Sequence, residues 1–189
     1  MFISTFISQH LAARFLQERG ANIHTINSFG CNPVLWGAQG EASVEVVEWM
    51  QSKGCDMTLV NHNGHGFLHK AGQRGQSDLV KWFVDHTLSM TKKNPEILSN
   101  LIGPDTEGYC PSDLAGMEGH QKLAVHLAQQ EMAAFEHISK SDAKPKWLYD
   151  CEDLMSTRVS ERELFLWEKY GGIRRMGSVL QAKQKDPSK

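Results

Sequence analysis

Asn61-His62-Asn63-Gly64, then Ala71-Gly72, Gly75 and Leu79-Val80-Lys81-Trp82-Phe83, is the stretch from which the fold is read. A turn-forming residue, two variable positions and a glycine open it. A pair of small residues follows, a second glycine breaks the chain, and an apolar run closes it. The same order stands upstream in Asn27-Ser28-Phe29-Gly30, Gly37-Ala38 and Val46-Val47-Glu48-Trp49-Met50. It stands again downstream in Asp105-Thr106-Glu107-Gly108, Ala115-Gly116, Gly119 and Leu123-Ala124. Trp49 and Trp82 are 33 residues apart, Gly30 and Gly64 are 34 apart, and Gly64 and Gly108 are 44 apart. A period of this size marks small units that bury apolar faces only by stacking on their neighbours. The first copy holds one extra residue near Gly40 to Ser43, and about 11 residues are inserted around Thr87 to Pro104.

The residue types suit helix pairs. Pro33 and Pro111 fall at the start of a short helix, where a missing N–H costs nothing. The small pairs let helices approach closely, and Gly75 and Gly119 break the chain between two helices. The paired apolar positions that follow build the stacked core. Trp49 and Trp82 recur at one position of the period and are read as core rather than as a ligand box.

This register resembles the ankyrin repeat over roughly residues 6–131. The resemblance implies an all-α solenoid of about 3.5 repeats, with a C-terminal helical extension. His69 stands where the family keeps a helix-opening histidine that bonds backbone in the turn, although Phe67 replaces the usual proline. Leu35 and Asp113 occupy that position in the other copies, so the repeats are divergent. Ala12-Ala13-Arg14-Phe15-Leu16 and Gly20-Ala21-Asn22 align by character with Val46 to Met50 and Gly54-Cys55-Asp56, at an offset of 34. The first 22 residues thus read as the second helix and loop of an incomplete unit, either a cap or the edge of a longer array.

The family's function implies a protein–protein interaction or scaffold module, acting as a monomer on a protein partner, with no cofactor and no chemistry of its own. Its hairpin tips map onto Ser28, Phe29 and Cys31, then His62, Asn63 and His65, then Thr106, Glu107 and Tyr109. Its groove-facing helix positions map onto Trp36 and Gln39, then Lys70, Gln73 and Arg74, then Leu114, Met117 and Glu118. The partner-binding set expected from this register is Ser28, Phe29, Trp36, His62, Asn63, His65, Lys70, Arg74, Glu107, Tyr109 and Leu114. Phe29, Trp36 and Tyr109 are its anchors, since aromatics with an arginine nearby are the usual energetic centre of an interface. A plainer reading has Phe29 or Trp36 plugging an irregular first repeat, and Lys70 and Arg74 pairing with Glu118 on the surface.

The organisation expected is a repeat domain over 1–135, a linker and helix over 136–176, and a disordered tail over 177–189. The second helix of the third unit runs from about His120 to Phe135. Ser160-Glu161-Arg162-Glu163 is a capping box before an apolar helix that ends near Lys169 and folds back on the repeats or binds a partner. Inside the insertion, Asn94-Pro95 opens a short helix through Leu101 that belongs either to a binding face or to a tolerated surface elaboration.

Composition narrows the field. The chain has 189 residues, 40% of them hydrophobic and 22% charged, which is a folded composition. Its 20 Lys and Arg against 22 Asp and Glu argue against a generic polyanion binder. The alternative function is a nucleic-acid or organelle-associated adaptor that uses Arg174, Arg175, Lys183, Lys185 and Lys189. The apolar stretches are far shorter than the roughly 20 residues a membrane span needs. Cys31, Cys55, Cys110 and Cys151 lie far apart, which favours an intracellular, reducing compartment, cytoplasmic or nuclear. The amphipathic start, with Arg14 and Arg19 and no acid before Glu18, mildly resembles a mitochondrial presequence. His62, His65 and His69 are spaced like metal ligands, but the register assigns all three to the turn and the helix opening. No nucleophile elbow, phosphate-binding glycine loop or zinc-protease motif occurs.

Overall fold

A computed structural model of the chain describes residues 11–89 and 94–139, and these residues are all-helical, with no strand among them. Helix α1 covers residues 11–18, α2 Pro33–Gln39, α3 Val44–Ser52, α4 Phe67–Gln73 and α5 Ser77–Phe83. A π-helical turn, Val84–Leu88, extends α5. Then come α6 Pro95–Ile102, α7 Pro111–Met117 and α8 Gln121–Ser139. The presequence-like residues 1–10, the capping box at Ser160 and the basic tail lie outside the described residues.

Local chemistry starts α2, α4, α6 and α7. Pro33 and Pro95 occupy first-turn positions behind Asn32 and Asn94, whose side chains accept from Leu35 N at 3.0 Å and Ile97 N at 3.3 Å. Helix α4 uses His69 instead, its Nδ1 accepting from Gly66 N at 3.3 Å. In α7 the Asp113 carboxylate does the same for Cys110 N at 2.8 Å. Different residues at one position of the period thus satisfy the same orphan donor of a helix start.

The first helices α2, α4 and α7 pack side by side, and each packs on the second helix of its own pair, α3, α5 or α8. Seven-residue helices cannot persist alone in water, so these contacts hold them. The core runs through all three pairs: Leu35, Val47, Phe67, Leu68, Phe83, Ala115 and Leu127 are all buried. Phe67 stacks on Phe83 with ring centroids 4.5 Å apart and meets Trp82 at a tilt. Trp82 is buried, and its indole N–H donates to Glu48 Oε1 at 2.8 Å.

Three turns precede the first helices and share one hydrogen-bonding scheme. Asn27 Oδ1 accepts from Phe29 N and Cys31 N, Asn61 Oδ1 from Asn63 N and His65 N, and Asp105 Oδ1 from Glu107 N and Tyr109 N. Gly30, Gly64 and Gly108 close these turns at φ of 78°, 79° and 90°. Each turn bonds to the next: His62 N donates to Phe29 O, and Thr106 N to Asn63 O, both at 3.1 Å.

Two expectations are corrected. The insertion is not a surface elaboration. Its residues 87–89 continue the helix, Thr87 and Leu88 are buried, and α6 buries Leu98, Leu101 and Ile102 against α4 and α8. A helix with apolar residues at this spacing is drawn into whatever apolar surface lies within reach. Helix α8 runs past the expected end at Phe135 and is described through Ser139, with Phe135 and Ile138 both buried. The break after α2 falls on Glu41 at φ 62°, where the other two pairs have Gly75 and Gly119. Glu41 follows Gly30 by 11 residues, as Gly75 follows Gly64 and Gly119 follows Gly108, so the left-handed position keeps its register and only the residue there differs.

Candidate functional site

The three turns and the exposed sides of α2, α4 and α7 form one continuous face. On the first turn Ser28 and Phe29 are exposed, Phe29 by 64%. On the second, His62 and Asn63 are exposed. On the third, Thr106 and Glu107 are exposed and Tyr109 is half-buried. The backbone beneath them is bonded by the Asn or Asp side chain and by the neighbouring turn, and Thr106 Oγ1 also donates to Asn63 O at 3.1 Å.

Two residues expected at the tips serve the stack itself. His62 lays its ring over Gly30, where a Cβ would come within 2.7 Å of the ring. His65 is largely covered, with Nε2 at 2.9 Å from Asp105 Oδ2, joining the second turn to the third. Its ring stacks on His69 at 5.5 Å. His69 is completely buried, and burial, with His65 beside it, lowers its pKa to about 3, so it stays neutral at physiological pH. The three histidines thus serve the turns and the helix start, with His65 and His69 stacked on each other. Among the described residues no three His, Cys, Asp or Glu side chains are grouped to hold a metal ion.

On the helices, Trp36 of α2 is 52% exposed. Lys70 of α4 stands at the equivalent position and is half-buried, and Arg74 one turn on is exposed. Arg74 reaches Glu41 Oε1 only at 3.9 Å, with both side chains in solvent. Leu114 of α7 is a correction to the expected set. It is only 7% exposed, yet it stands outside the main buried apolar cluster, and Met117, 55% exposed, is the exposed apolar side chain of α7.

Sequence reasoning missed a buried acid. Glu131 is completely buried, with Oε1 accepting from Ser112 N at 2.7 Å and Oε2 bonded to Ser112 Oγ at 2.5 Å. The signal was present, since Leu123, Leu127, Glu131 and Phe135 recur at helical spacing down one stripe of α8. Burial, with the Asp113 carboxylate nearby, raises the Glu131 pKa to about 8, while its bonds to Ser112 act in the opposite direction.

Glu131 and His69 set the pH range in which the fold is most stable. The unfolded chain ionises Glu131 above 4.5 while the folded one keeps the proton to about 8, so stability falls as pH rises through that window. The unfolded chain protonates His69 below 6.5 while the folded one resists to about 3, so stability falls as pH drops there. Between 4.5 and 6.5 the two slopes oppose each other. Each contributes at most about 1.4 kcal/mol per pH unit. Urea midpoints should therefore peak in that interval and decline toward pH 8, and Glu131→Gln should abolish the alkaline decline while leaving the acid one. An unchanged alkaline decline in Glu131→Gln would remove this account.

No protein-family model matches the sequence, and no curated protein is significantly similar to it. No helix among the described residues is long and apolar enough to cross a membrane.

Proposed function

We propose that this chain is a divergent ankyrin-type repeat protein that binds a partner protein along its turn tips and first-helix face. The observation that carries the reading is the shared scheme of the three turns: the same side-chain acceptor, the same two donors and the same bond to the neighbouring turn. Such a scheme repeats a rigid frame while leaving the side chains between its fixed positions variable, which suits recognition. The variable positions here carry Phe29, and the adjoining helix face carries Trp36 and Met117, all more than half exposed. Large apolar side chains held in water on a rigid support are the anchors from which an interface gains most of its energy. The function is binding rather than catalysis, performed by one copy of the chain on a protein partner.

Trp36→Ala combined with Arg74→Ala tests the reading. Neither side chain is buried, so circular dichroism and urea midpoint should stay at the unaltered values. An aromatic anchor contributes about 2 kcal/mol or more to binding, so a partner isolated with the intact chain should bind at least about thirtyfold more weakly. Full retention of that partner by the folded double variant would exclude this face as the binding site.

A further inference from the structure

The face described above carries an ordered sequence of chemistries, and that order specifies the segment it accepts. At one end Phe29 and Trp36 offer exposed aromatic surface. In the middle stand two cations, Lys70 and Arg74. At the other end Met117 is exposed beside Glu118. Trp36 and Lys70 hold equivalent positions on helices that pack side by side, and Met117 belongs to the next helix of the same row.

The central cations are available. Lys70 is half-buried, makes no ion pair with a described residue, and its ammonium is penalised by burial, which lowers its pKa. Arg74 makes one long, solvated pair with Glu41, an arrangement worth little and readily exchanged. A carboxylate brought between Lys70 and Arg74 would relieve the first and replace the second, in surroundings partly shielded by flanking apolar groups.

The spacing follows from packing. Adjacent helices lie about 8–10 Å apart, and an extended chain advances about 3.3 Å per residue. One step along the row therefore corresponds to about three residues of an extended segment. We propose that this face binds an extended peptide segment of a partner protein in which an apolar or aromatic residue, an acidic residue and a second apolar residue follow one another at intervals of three. This rests on the reading of the chain as a protein-binding module and adds the chemistry of the partner.

Selection from a random dodecapeptide library displayed on phage, against the intact chain, tests it directly. Enriched peptides should carry Asp or Glu at the centre with large apolar residues three positions to either side. For a synthetic peptide of that pattern, replacing the central Glu by Gln should weaken binding at least tenfold in fluorescence anisotropy at low salt. Lys70→Gln combined with Arg74→Gln should erase the difference between the Glu and Gln peptides, and Trp36→Ala should weaken both equally. Binders that lack the acid yet are lost with Trp36→Ala would overturn the inference and leave the binding face standing. Binders indifferent to both substitutions would overturn the face as well, and a library yielding no binder would overturn the inference.

Discussion

Gly64→Ala should destabilise the chain by about 2–5 kcal/mol. Gly64 sits at φ 79°, where a side chain costs about 1–2 kcal/mol. A Cβ there would lie 2.9 Å from Asp105 Cα and from Thr106 N, and 3.1 Å from Asp105 C. These are backbone atoms, fixed by the Asp105 turn and by the Thr106 N–H bond to Asn63 O, so neither can swing aside. Forcing the turns apart adds about 1–3 kcal/mol to the conformational cost. Gly119→Ala is the matched control: its φ is 84°, but nothing stands within 4 Å of the added Cβ. That substitution should cost only the conformational part. Urea unfolding of the two variants measures the difference, and equal losses would mean that the close approach of the second and third turns contributes nothing.

Leu101→Ala should lose about 2–5 kcal/mol, the range for emptying a packed leucine site. Leu101 is fully buried on α6, and the bare Cα of Gly66, at the start of α4, faces it closely enough that an added Cβ would touch its Cδ2 at 3.7 Å. Asn100→Ala on the same helix, at an exposed position, should stay within about 0.5 kcal/mol. An insertion hanging off the surface would make both substitutions equally mild. A large loss at Leu101 alone shows that residues beyond the regular period are part of the core.

What could be read in the residues was whatever depends on local chemistry. Asn27, Asn61 and Asp105 announce their turns because a short side-chain acceptor followed by glycine has few other uses. Pro33, Pro111 and the Asn94-Pro95 pair announce helix starts for the same reason. The Trp49 and Trp82 positions follow from the period, and Trp82 is buried while Trp49 packs partly against the core. The remaining features depend on what lies opposite in space. The apolar spacing of Ile97, Leu98 and Leu101 predicts one sticky face but not that α4 and α8 leave a place for it. Leu114 and Met117 lie three apart on α7, and only packing in space decides that Leu114 is covered while Met117 is exposed. Glu131 was passed over because an acid on an apolar stripe is ordinarily taken as solvated, and its burial requires Ser112 of another helix to satisfy both oxygens. The left-handed residue after α2 is Glu41, at the same spacing from its turn as Gly75 and Gly119, and no glycine announces it.

The placing of α6 has a consequence for how the molecule comes apart. A chain in which each helix pair touches only the pairs before and after it can fray from either end, one pair at a time. Helix α6 touches both α4 and α8, and so fastens the second pair to the third by a strut that the first pair lacks. The last two pairs should therefore open as one block, and of the three pairs α2–α3, joined to them without such a strut, is the one expected to open first under mechanical load or proteolytic attack.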